Sequence, residues 1–304
     1  MQSYQKEIQT KLLKYGSLIG IIKKNGVIVI IDFAISNFLN LISKRFYRSN
    51  RANYGLSEAL FRSRDIDRWS RYIHIANEIQ KNVNKKSSVL EIGSGGLGIS
   101  GLLSSERNDL DFFLLDIRKD AFTDLKGPHC VVGDGCRLPF RDKSIDIVVS
   151  VDTLEHIPKS LRHNFYKESK RVCKKKIIVT CPLQSSDGIF DGKNYDIIFQ
   201  YLHEKKYGVK ESNTAQHIEA GHPTFEEIEW AFPDSTVYGY KNVNVWLKYM
   251  VISRKPIVGL FCGTLYYLFW KKNDDKPPYW GAIIVADPKK YSAKDFPLMA
   301  ENQD

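Results

Sequence analysis

The stretch Glu91–Gly98, EIGSGGLG, decides the predicted fold. It joins a short apolar segment, residues 88–92, to a predicted helix from about residue 98 to 105. Glycines at 93, 95 and 98 let the loop turn tightly and let a ligand come close to its backbone. Amide groups at the start of the helix can bind an anion. The stretch therefore predicts a strand, a ligand-binding loop and a helix in succession.

The same alternation continues along the chain. Four more apolar segments are predicted as strands, at residues 112–116, 129–132, 145–151 and 176–181, and a helix is predicted over 159–172. A helix over 224–231 precedes two last strands, at 236–245 and 279–286. Strands that alternate with helices are typical of a parallel sheet with right-handed crossovers. We therefore predict an α/β fold with a doubly wound, Rossmann-like sheet.

Three segments lie outside this alternation. Residues 1–60 are predicted as an N-terminal helical extension, and a further helix is predicted over 64–83. Residues 183–223 form a long polar and aromatic segment, where we expect a substrate loop or lid. Residues 246–276 are an apolar helical insertion before the last strand. The main domain is expected over 61–290, with a tail at 291–304.

The composition is that of an ordinary globular protein, with 304 residues, 43% of them hydrophobic and 26% charged. The net charge of +10 suits nucleic acid, an anionic membrane surface or a phosphorylated substrate, and its sign does not choose among them. Five cysteines have no C-x-x-C spacing and form no metal-ligand framework with the histidines, so we predict unpaired thiols and no metal. No secretory signal is visible, which predicts a cytoplasmic protein.

Two segments are apolar enough to touch a membrane. Residues 27–42 are interrupted by Asp32 and other polar residues, and residues 257–270 are an uncharged run of 14. A spanning helix needs about 20 apolar residues, so neither is predicted to cross a bilayer. Both suit core or lid helices, and both also suit peripheral attachment to the inner face of the cell membrane. Oligomeric state is not indicated by the sequence.

Acidic residues follow or end four consecutive predicted strands. They are Glu91, Asp116, Asp134 and Asp152. In an open parallel sheet, ligands bind at the carboxyl ends of the strands, near the point where the strand order reverses. These acids are therefore expected to surround one ligand.

The identity of that ligand turns on Glu91. Glycines 93, 95 and 98 fit G-x-G-x-x-G, and Asp116 suits a pair of ribose hydroxyls, so the pattern fits NAD and S-adenosylmethionine alike. A pyrophosphate beside Glu91 would be repelled, whereas S-adenosylmethionine brings an ammonium and a sulfonium. Asp134 can accept a hydrogen bond from an adenine amino group. The residues favour S-adenosylmethionine.

The chain resembles the class I S-adenosylmethionine-dependent methyltransferases, particularly the group of methyltransferase type 11 and ubiquinone and menaquinone enzymes. The matching stretches are VLEIGSGGLG at 89–98, LLDI at 114–117, GDGCRLPFRDKSIDIVVSVDTLEHI at 133–157, ESKRVCKKKIIVTCP at 168–182 and YWGAIIVAD at 279–287. The resemblance implies a seven-stranded sheet with an antiparallel last strand. One departure is Leu97, where the family often has a third glycine, with Gly98 after it.

The resemblance also implies a set of cofactor-binding residues. Glu91, Gly93 and Gly95 would line the methionine part of the ligand, Asp116 would lie at the ribose, and Ile117 after it would also contact the cofactor. Asp134 with Gly135 would face adenine, and Val151 or Asp152 would border the sulfonium. The predicted cofactor is S-adenosyl-L-methionine.

Three histidines are candidate catalytic bases. His156 follows the fourth strand, and His217 and His222 lie late in the 183–223 segment. Imidazole takes up a proton near neutral pH, since its ordinary pKa is about 6.5. Methyl transfer from an activated sulfonium also proceeds by positioning alone, so a structural role for each histidine stays open.

The function predicted from these features is transfer of a methyl group to an oxygen, or less readily a nitrogen or carbon, of a small-molecule or lipid-linked acceptor. A glycan precursor or a quinone would suit the basic and apolar segments. The alternatives are an NAD-dependent oxidoreductase and a methyltransferase-like subunit that binds without turnover. Nucleic acid is disfavoured as a partner, because Asp152-Thr153-Leu154-Glu155 stands where a base-binding Asn-Pro-Pro-Tyr pocket would lie.

Overall fold

A computed structural model describes residues 66–83, 86–103, 107–122, 128–253, 271–274 and 276–288. The helices are α1 (Ile66–Asn82), α2 (Ser100–Leu103), α3 (Lys159–Val172), α4 (Gly192–Tyr207), α5 (Ser212–Ala220), α6 (Phe225–Ala231), α7 (Val243–Ser253) and α8 (Lys271–Asp274). The strands are β1 (Ser87–Ile92), β2 (Leu110–Asp116), β3 (His129–Val132), β4 (Ile145–Val151), β5 (Cys173–Pro182), β6 (Thr236–Asn242) and β7 (Tyr279–Ala286). Single 3-10 turns lie at Lys119–Phe122 and Leu154–His156.

The strands form one seven-stranded sheet in the order β3-β2-β1-β4-β5-β7-β6. Strand β1 pairs in parallel with β2 and with β4, β2 pairs in parallel with β3, and β4 pairs in parallel with β5. The last strand of the sequence runs antiparallel, which confirms the predicted α/β fold class. The strand order reverses between β1 and β4, so the crevice expected for a ligand lies at their carboxyl ends.

The chain divides into two compact units. Within the described residues, the first unit comprises 66–71, 182–222, 239–253, 271–274 and 276–281. The second unit comprises 72–83, 86–103, 107–122, 128–181, 223–238 and 282–288. In the second unit, β1 and β4 supply the centre of the core, because the side chains of Val89, Leu90, Ile147 and Val149 are fully buried. Strands buried on both faces have apolar runs of this kind.

A buried ion pair fixes helix α3 in the second unit. Arg162 is 1% exposed and donates from a guanidinium nitrogen to Glu227 of α6 at 3.2 Å. Tyr166 donates its hydroxyl to the same carboxylate at 2.7 Å. Burial, and then the negative charge of Glu227, raise the pKa of Tyr166 well above its usual value. Both charged groups of the Arg162–Glu227 pair therefore have hydrogen-bond partners, as buried charges require.

The first unit is built largely from helices and aromatic side chains. Tyr195 and Phe199 of α4 stack with ring centroids 6.0 Å apart, and Trp280 of β7 meets Tyr195 edge to face. The Lys241 ammonium lies 4.4 Å from the ring centroids of both Trp246 and Trp280. Lys241 is 2% exposed, so its charge is stabilised partly by cation–π contact.

Two predicted boundaries differ from the observed ones. The 183–223 segment, predicted as a long loop or lid, contains helices α4 and α5, and Gly208 ends α4 in the left-handed conformation. The strand predicted over 236–245 ends at Asn242, because the Asn242 side-chain oxygen accepts hydrogen bonds from the amides of Asn244 and Val245 at 3.0 and 3.1 Å. Those bonds begin α7, in the position of a helix N-cap.

The other boundaries agree closely with the prediction. The observed α3, β3, β4 and β7 coincide with the predicted ranges. Helix α6 begins at Phe225, one residue after the predicted start, and its N-cap Thr224 accepts from the Glu227 amide. Strand β5 begins at Cys173, three residues before the predicted start. The helices predicted within 1–60, the middle of the 246–276 insertion and the 291–304 tail lie outside the described residues.

Two further expectations concern cysteines and membranes. Cysteines 130, 136, 173 and 181 are unpaired, and Cys262 lies outside the described residues. Burial raises the pKa of Cys173 to about 11, so its thiol is protonated at neutral pH. Among the helices that the structure describes, none combines the length and the apolar character needed to cross a membrane.

Candidate functional site

The glycine loop is fastened to the neighbouring strand. The amides of Gly93 and Ser94 both donate to the carbonyl oxygen of Leu115 in β2, at 2.8 and 3.1 Å. These bonds bring the carboxyl ends of β1 and β2 together, as the register of the parallel pair requires. Gly93 has a φ of +73° and Gly95 a φ of +58°, a region that favours glycine.

The loop leaves room for a ligand at Gly95 and not at Gly93. A Cβ on Gly93 would collide with the Thr153 side chain, whereas a Cβ on Gly95 would meet no atom within 4 Å. Between them, the Ser94 hydroxyl is buried and has no hydrogen-bond partner in the structure. A buried polar group of this kind is costly unless a ligand or water satisfies it. The loop therefore fits the polar end of a cofactor that approaches its backbone.

Glu91 is completely buried beneath the loop. One carboxylate oxygen accepts from the Ile99 amide at 2.6 Å, and the other accepts from the Tyr72 hydroxyl at 3.1 Å. A Cβ on Gly98 would collide with this carboxylate, so glycine at 98 makes room for Glu91. Glu91 thus supports the start of the helical segment after the loop. Its predicted contact with the methionine part of the cofactor stays a prediction.

Asp116 lies at the end of β2, next to the loop. Its carboxylate accepts from the Gly95 amide at 2.9 Å and from the Arg118 amide at 2.9 Å. It is 6% exposed, while the neighbouring Ile117 is 71% exposed. A large apolar side chain exposed beside a buried acid suits the flat, apolar face of a nucleoside. The ribose role of Asp116 stays a prediction.

The third and fourth strand ends also carry their predicted residues. The Asp134 carboxylate accepts from the Cys136 amide at 2.8 Å, which fixes the turn that contains Gly135. Asp152, directly after Val151, has a φ of +45°, and its carboxylate accepts from the Thr180 hydroxyl at 2.9 Å. Hydrogen bonds within the protein therefore fix the carboxylates of Asp134 and Asp152. The roles of these residues at the adenine and the sulfonium remain predictions.

The turn after β4 is positioned from helix α3. The Arg162 Nε donates to the carbonyl oxygens of Leu154 and Ile157, at 3.2 and 3.0 Å. Arg162 therefore holds the turn that contains His156, whose side chain is exposed. Sequence reasoning missed this function of Arg162, because nothing in the spacing of α3 distinguishes a buried arginine from a solvated one.

The other two candidate histidines lie together in the first unit. His217 Nδ1 and His222 Nε2 each lie 2.8 Å from the same oxygen of Asp196 in α4. The Trp280 indole donates to the other Asp196 oxygen at 3.0 Å. We call these four residues, Asp196, His217, His222 and Trp280, the Asp196 cluster. Asp196 and Trp280 were missed from the sequence, since no local motif connects them to the histidines.

Asp196 is an ionised carboxylate at neutral pH. Burial by itself raises the pKa of Asp196, but hydrogen bonds from His217 and His222 outweigh burial and lower its pKa to about 2. The side-chain ligand atoms of Asp196, His217 and His222 lie within 4.8 Å of one another, close enough to hold a metal ion. Hydrogen bonds with His217, His222 and Trp280 already occupy both oxygens of Asp196. The expectation from the sequence that the chain binds no metal stays a prediction.

Comparison with known proteins finds a family similarity in the segment that contains the glycine loop. Residues 90–180 match the family model of the methyltransferase domain. The predicted resemblance to class I S-adenosylmethionine-dependent methyltransferases is confirmed for this segment. The match supports the predicted class of enzyme and the predicted cofactor, S-adenosylmethionine.

A curated relative agrees with this class. The chain is 31% identical over 99 residues to a malonyl-[acyl-carrier protein] O-methyltransferase of Marinomonas sp. (strain MWYL1). The match covers 30% of this chain and 36% of the relative. The chain thus spans about a third of the length of the curated relative, and the activity and acceptor of the whole protein are proposals.

Two solved structures are similar over a larger share. One is a phosphoethanolamine N-methyltransferase 2 of Haemonchus contortus in complex with phosphomonomethylethanolamine and S-adenosylhomocysteine, 18% identical, with a TM-score of 0.42 over 72% of this chain and 52% of that one. The other is a SAM-dependent methyltransferase of Methanosarcina mazei, 18% identical, with a TM-score of 0.42 over 69% of this chain and 96% of that one. Both TM-scores lie below 0.5.

Proposed function

We propose that the protein is a methyltransferase that moves the methyl group of S-adenosylmethionine to an oxygen of a small-molecule or lipid-linked acceptor. The observation that carries the proposal is the glycine loop, which is open at Gly95 and contains a buried Ser94 hydroxyl that has no hydrogen-bond partner in the structure. Acidic side chains at the ends of β1, β2, β3 and β4 belong to the same edge of the sheet. This combination suits a ligand that carries positive charge and ribose hydroxyls.

The chain's own residues bind and orient in this proposal. When bound, S-adenosylmethionine supplies a methyl group already activated by its sulfonium. The Asp116 carboxylate and the backbone around Gly95 would hold the ribose and methionine parts, and Ile117 and Asp134 would face the adenine. Glu91 would act from beneath, by fixing the loop through Ile99. Positioning of this kind supplies a large share of the rate in a displacement reaction.

An oxygen acceptor is supported by two observations. The curated relative is named for O-methylation. The chain also offers histidines as proton acceptors, with His156 in the second unit and His217 and His222 in the first. A hydroxyl must lose its proton as it is methylated, and imidazole is a suitable base near neutral pH.

Peripheral contact with an anionic membrane is the second part of the proposal. The turn between α4 and α5 exposes Tyr207 by 45% and Val209 by 59%. Lys205, Lys206 and Lys210 surround them and are exposed. Apolar tips between lysines favour the surface of anionic lipid, at about 1 kcal/mol per lysine. The net charge of +10 agrees with this placement on the inner face of the cell membrane.

Calorimetric titration with S-adenosylmethionine tests the first part. Asn tolerates a positive φ, so Gly95→Asn places a side chain in the loop opening with little backbone strain. Gly208→Asn is the matched control, because Gly208 has a φ of +73° and also has nothing within 4 Å of a Cβ. We expect affinity to fall about tenfold or more in Gly95→Asn and to stay unchanged in Gly208→Asn.

Two results would contradict this part. One is the absence of S-adenosylmethionine binding by the native protein, and the other is undiminished binding by Gly95→Asn. Binding of NADH at the same loop would instead support an oxidoreductase.

Flotation with vesicles tests the membrane part separately. We expect the native protein to bind vesicles of phosphatidylglycerol and phosphatidylcholine at low salt, and to ignore pure phosphatidylcholine. Lys205→Glu with Lys206→Glu should weaken binding about tenfold or more. The control is the double variant Lys159→Glu with Lys167→Glu, which makes the same change of charge on exposed residues of α3. It should weaken vesicle binding less. Equal loss in both double variants would leave only a nonspecific charge effect.

A further inference from the structure

Two histidines of the first unit converge on a single carboxylate oxygen. Nδ1 of His217 and Nε2 of His222 each lie 2.8 Å from the same oxygen of Asp196. Hydrogen bonding alone does not require this convergence, because a carboxylate offers two oxygens with two lone pairs each. The three side-chain ligand atoms lie within 4.8 Å of one another. Two imidazole nitrogens and one carboxylate oxygen at such distances are a set of ligands for a metal ion.

The three side chains are withdrawn from solvent. The Asp196 side chain is 0% exposed, the His222 side chain 2% and the His217 side chain 8%. Few water molecules can therefore compete for an ion that these atoms hold. The Asp196 carboxylate also offsets part of the charge of a divalent ion, since it is ionised at neutral pH.

Trp280 holds the second oxygen of Asp196. Its indole nitrogen donates to that oxygen at 3.0 Å, and an indole N–H is a donor that cannot itself bind a metal ion. Carboxylates that bind metal ions are commonly oriented by such a hydrogen bond from a residue outside the set of ligands. Trp280 thus fixes one oxygen of Asp196 and leaves the other to the two histidines.

We propose that Asp196, His217 and His222 form a binding site for a divalent transition-metal ion, with Zn²⁺ as the best fit. Three protein ligands leave a fourth position for water. The ion joins α4, α5 and the segment after α5, all within the first unit. The site does not rest on the proposed methyltransferase function. It departs from the expectation of no metal because that expectation used local spacing, and Asp196 lies 21 residues before His217.

The observed distances suit Zn²⁺ after a small adjustment. Bonds of about 2.0–2.2 Å at tetrahedral angles place neighbouring ligand atoms about 3.3 Å apart. The two N···O distances of 2.8 Å must therefore widen by about 0.5 Å. Mg²⁺ and Ca²⁺ fit less well, because they take six or more ligands, nearly all of them oxygen.

Each imidazole binds the ion through the nitrogen that contacts Asp196. A neutral imidazole has one hydrogen, on either nitrogen, so metal binding leaves the hydrogen on the other nitrogen of the ring. In the metal-free protein, the nitrogens near Asp196 have the hydrogens and donate them to the carboxylate. Metal binding thus replaces two hydrogen bonds with coordinate bonds. With His217 and His222 as ligands, His156 is the remaining candidate base among the three histidines.

Titration of the chelator-treated native protein with Co²⁺ and Zn²⁺ tests the site. We expect Co²⁺ to give the visible absorption of a four-coordinate ion, to saturate at one equivalent, and to be displaced by Zn²⁺. X-ray absorption of the Zn²⁺-loaded protein should show only nitrogen and oxygen neighbours, at about 2.0–2.2 Å. Sulfur neighbours at about 2.3 Å would place the ion at cysteines and overturn the proposal.

Variants of the cluster add a second test. Asp196→Asn keeps the size of the side chain and removes its charge, and His222→Gln removes a ligand, so each should abolish binding of one equivalent. Trp280→Phe should weaken Zn²⁺ binding about 10-fold to 100-fold, because only the orienting hydrogen bond is lost. His129→Gln is the control and should bind like the native protein, since His129 makes an exposed contact with Asp111 at 3.0 Å. Circular dichroism establishes that each variant is folded.

Two further results would overturn the site. One is the absence of one-equivalent binding of either ion by the native protein, and the other is undiminished binding by folded Asp196→Asn. If a variant fails to fold, X-ray absorption of the native protein still identifies the ligand atoms. Failure of the proposed function looks different, because the native protein would then not bind S-adenosylmethionine, and the metal titrations do not use that ligand.

Discussion

Two regions of the molecule hold acidic side chains in different ways. At the cofactor edge, which comprises Glu91–Gly98, Asp116–Ile117, Asp134–Gly135 and Val151–Asp152, the acids accept mostly from backbone amides within a few residues of a loop. In the Asp196 cluster, every donor is a side chain, and the partners are 21, 26 and 84 residues away in sequence. The first arrangement shapes a loop, and the second ties separate segments together.

This difference predicts whether the loss of an acid affects mainly ligand binding or mainly the stability of the fold. An acid that shapes a loop can be lost with a moderate cost in stability and a larger cost in ligand binding. An acid that satisfies three buried donors leaves all three unpaired when it is removed, and each unpaired group carries its own desolvation penalty. Substitutions should therefore separate stability from binding between the two regions.

The largest effect is expected for Asp196→Ala. Removing a fully buried carboxylate that accepts from His217, His222 and Trp280 should lower the free energy of unfolding by about 3–5 kcal/mol. Urea denaturation followed by circular dichroism measures this. Asp111→Ala, at the exposed pair with His129, is the control and should change little. Similar losses in the two variants would show that the Asp196 cluster is no more than a surface pair.

A smaller effect is expected from pH. The pKa of Asp196 is lowered from 3.8 to about 2, so its contribution is present above pH 3.8 and is lost as pH falls through about 2. That contribution is about 2 kcal/mol in the free energy of unfolding. Denaturation curves between pH 5 and 2 should show the native protein losing this much more than Asp196→Asn. Equal losses of unfolding free energy in the native protein and in Asp196→Asn would contradict the hydrogen bonds assigned to Asp196.

Glu91→Gln should have the next effect, at the cofactor edge. The glutamine oxygen would accept from the Ile99 amide, and its NH2 group would donate to the Tyr72 hydroxyl, which can also accept, so two charge-assisted hydrogen bonds become neutral ones. We expect a loss of about 1–2 kcal/mol in the free energy of unfolding.

Tyr72→Phe is the matched variant for Glu91→Gln. It removes only the longer of the two bonds to Glu91, so the loss should be about 0.5–1.5 kcal/mol. Calorimetric titration of both variants with S-adenosylmethionine also measures how each substitution changes the affinity for this ligand. If Glu91 supports the loop and does not contact the ligand, binding by Tyr72→Phe should stay close to native, and a large loss there would contradict the supporting role.

The fold was predictable because its signals are local. Apolar runs bounded by glycine and acidic residues located β1 to β5 and β7, and the parallel arrangement follows from the alternation with helices. The acids of the cofactor edge were predictable for the same reason, since each ends or follows a strand. The loop at 183–223 was predicted wrongly as to its structure, because the polar and aromatic pattern of α4 shows little amphipathic contrast.

Only two of the four members of the Asp196 cluster could be predicted from the sequence. The sequence HIEAGH indicated His217 and His222, but not that they share one carboxylate. Asp196 lies mid-helix in α4 and Trp280 in β7, and only tertiary packing brings four such side chains together. The hydrogen bonds that Glu91 makes beneath the loop were also not foreseen, because its charge suggested a contact with the ligand and its burial became visible only in the structure.

Hydrogen exchange on addition of S-adenosylmethionine tests whether the cofactor edge binds the ligand. If the ligand binds there, amides at residues 93–99 should show the largest slowing of exchange, followed by those at 116–118 and 134–137. Gly95→Asn should abolish that slowing, and Gly208→Asn should retain it. Slowing confined to other segments, or none at any concentration of S-adenosylmethionine, would contradict the assignment of this loop as the methyl donor's site.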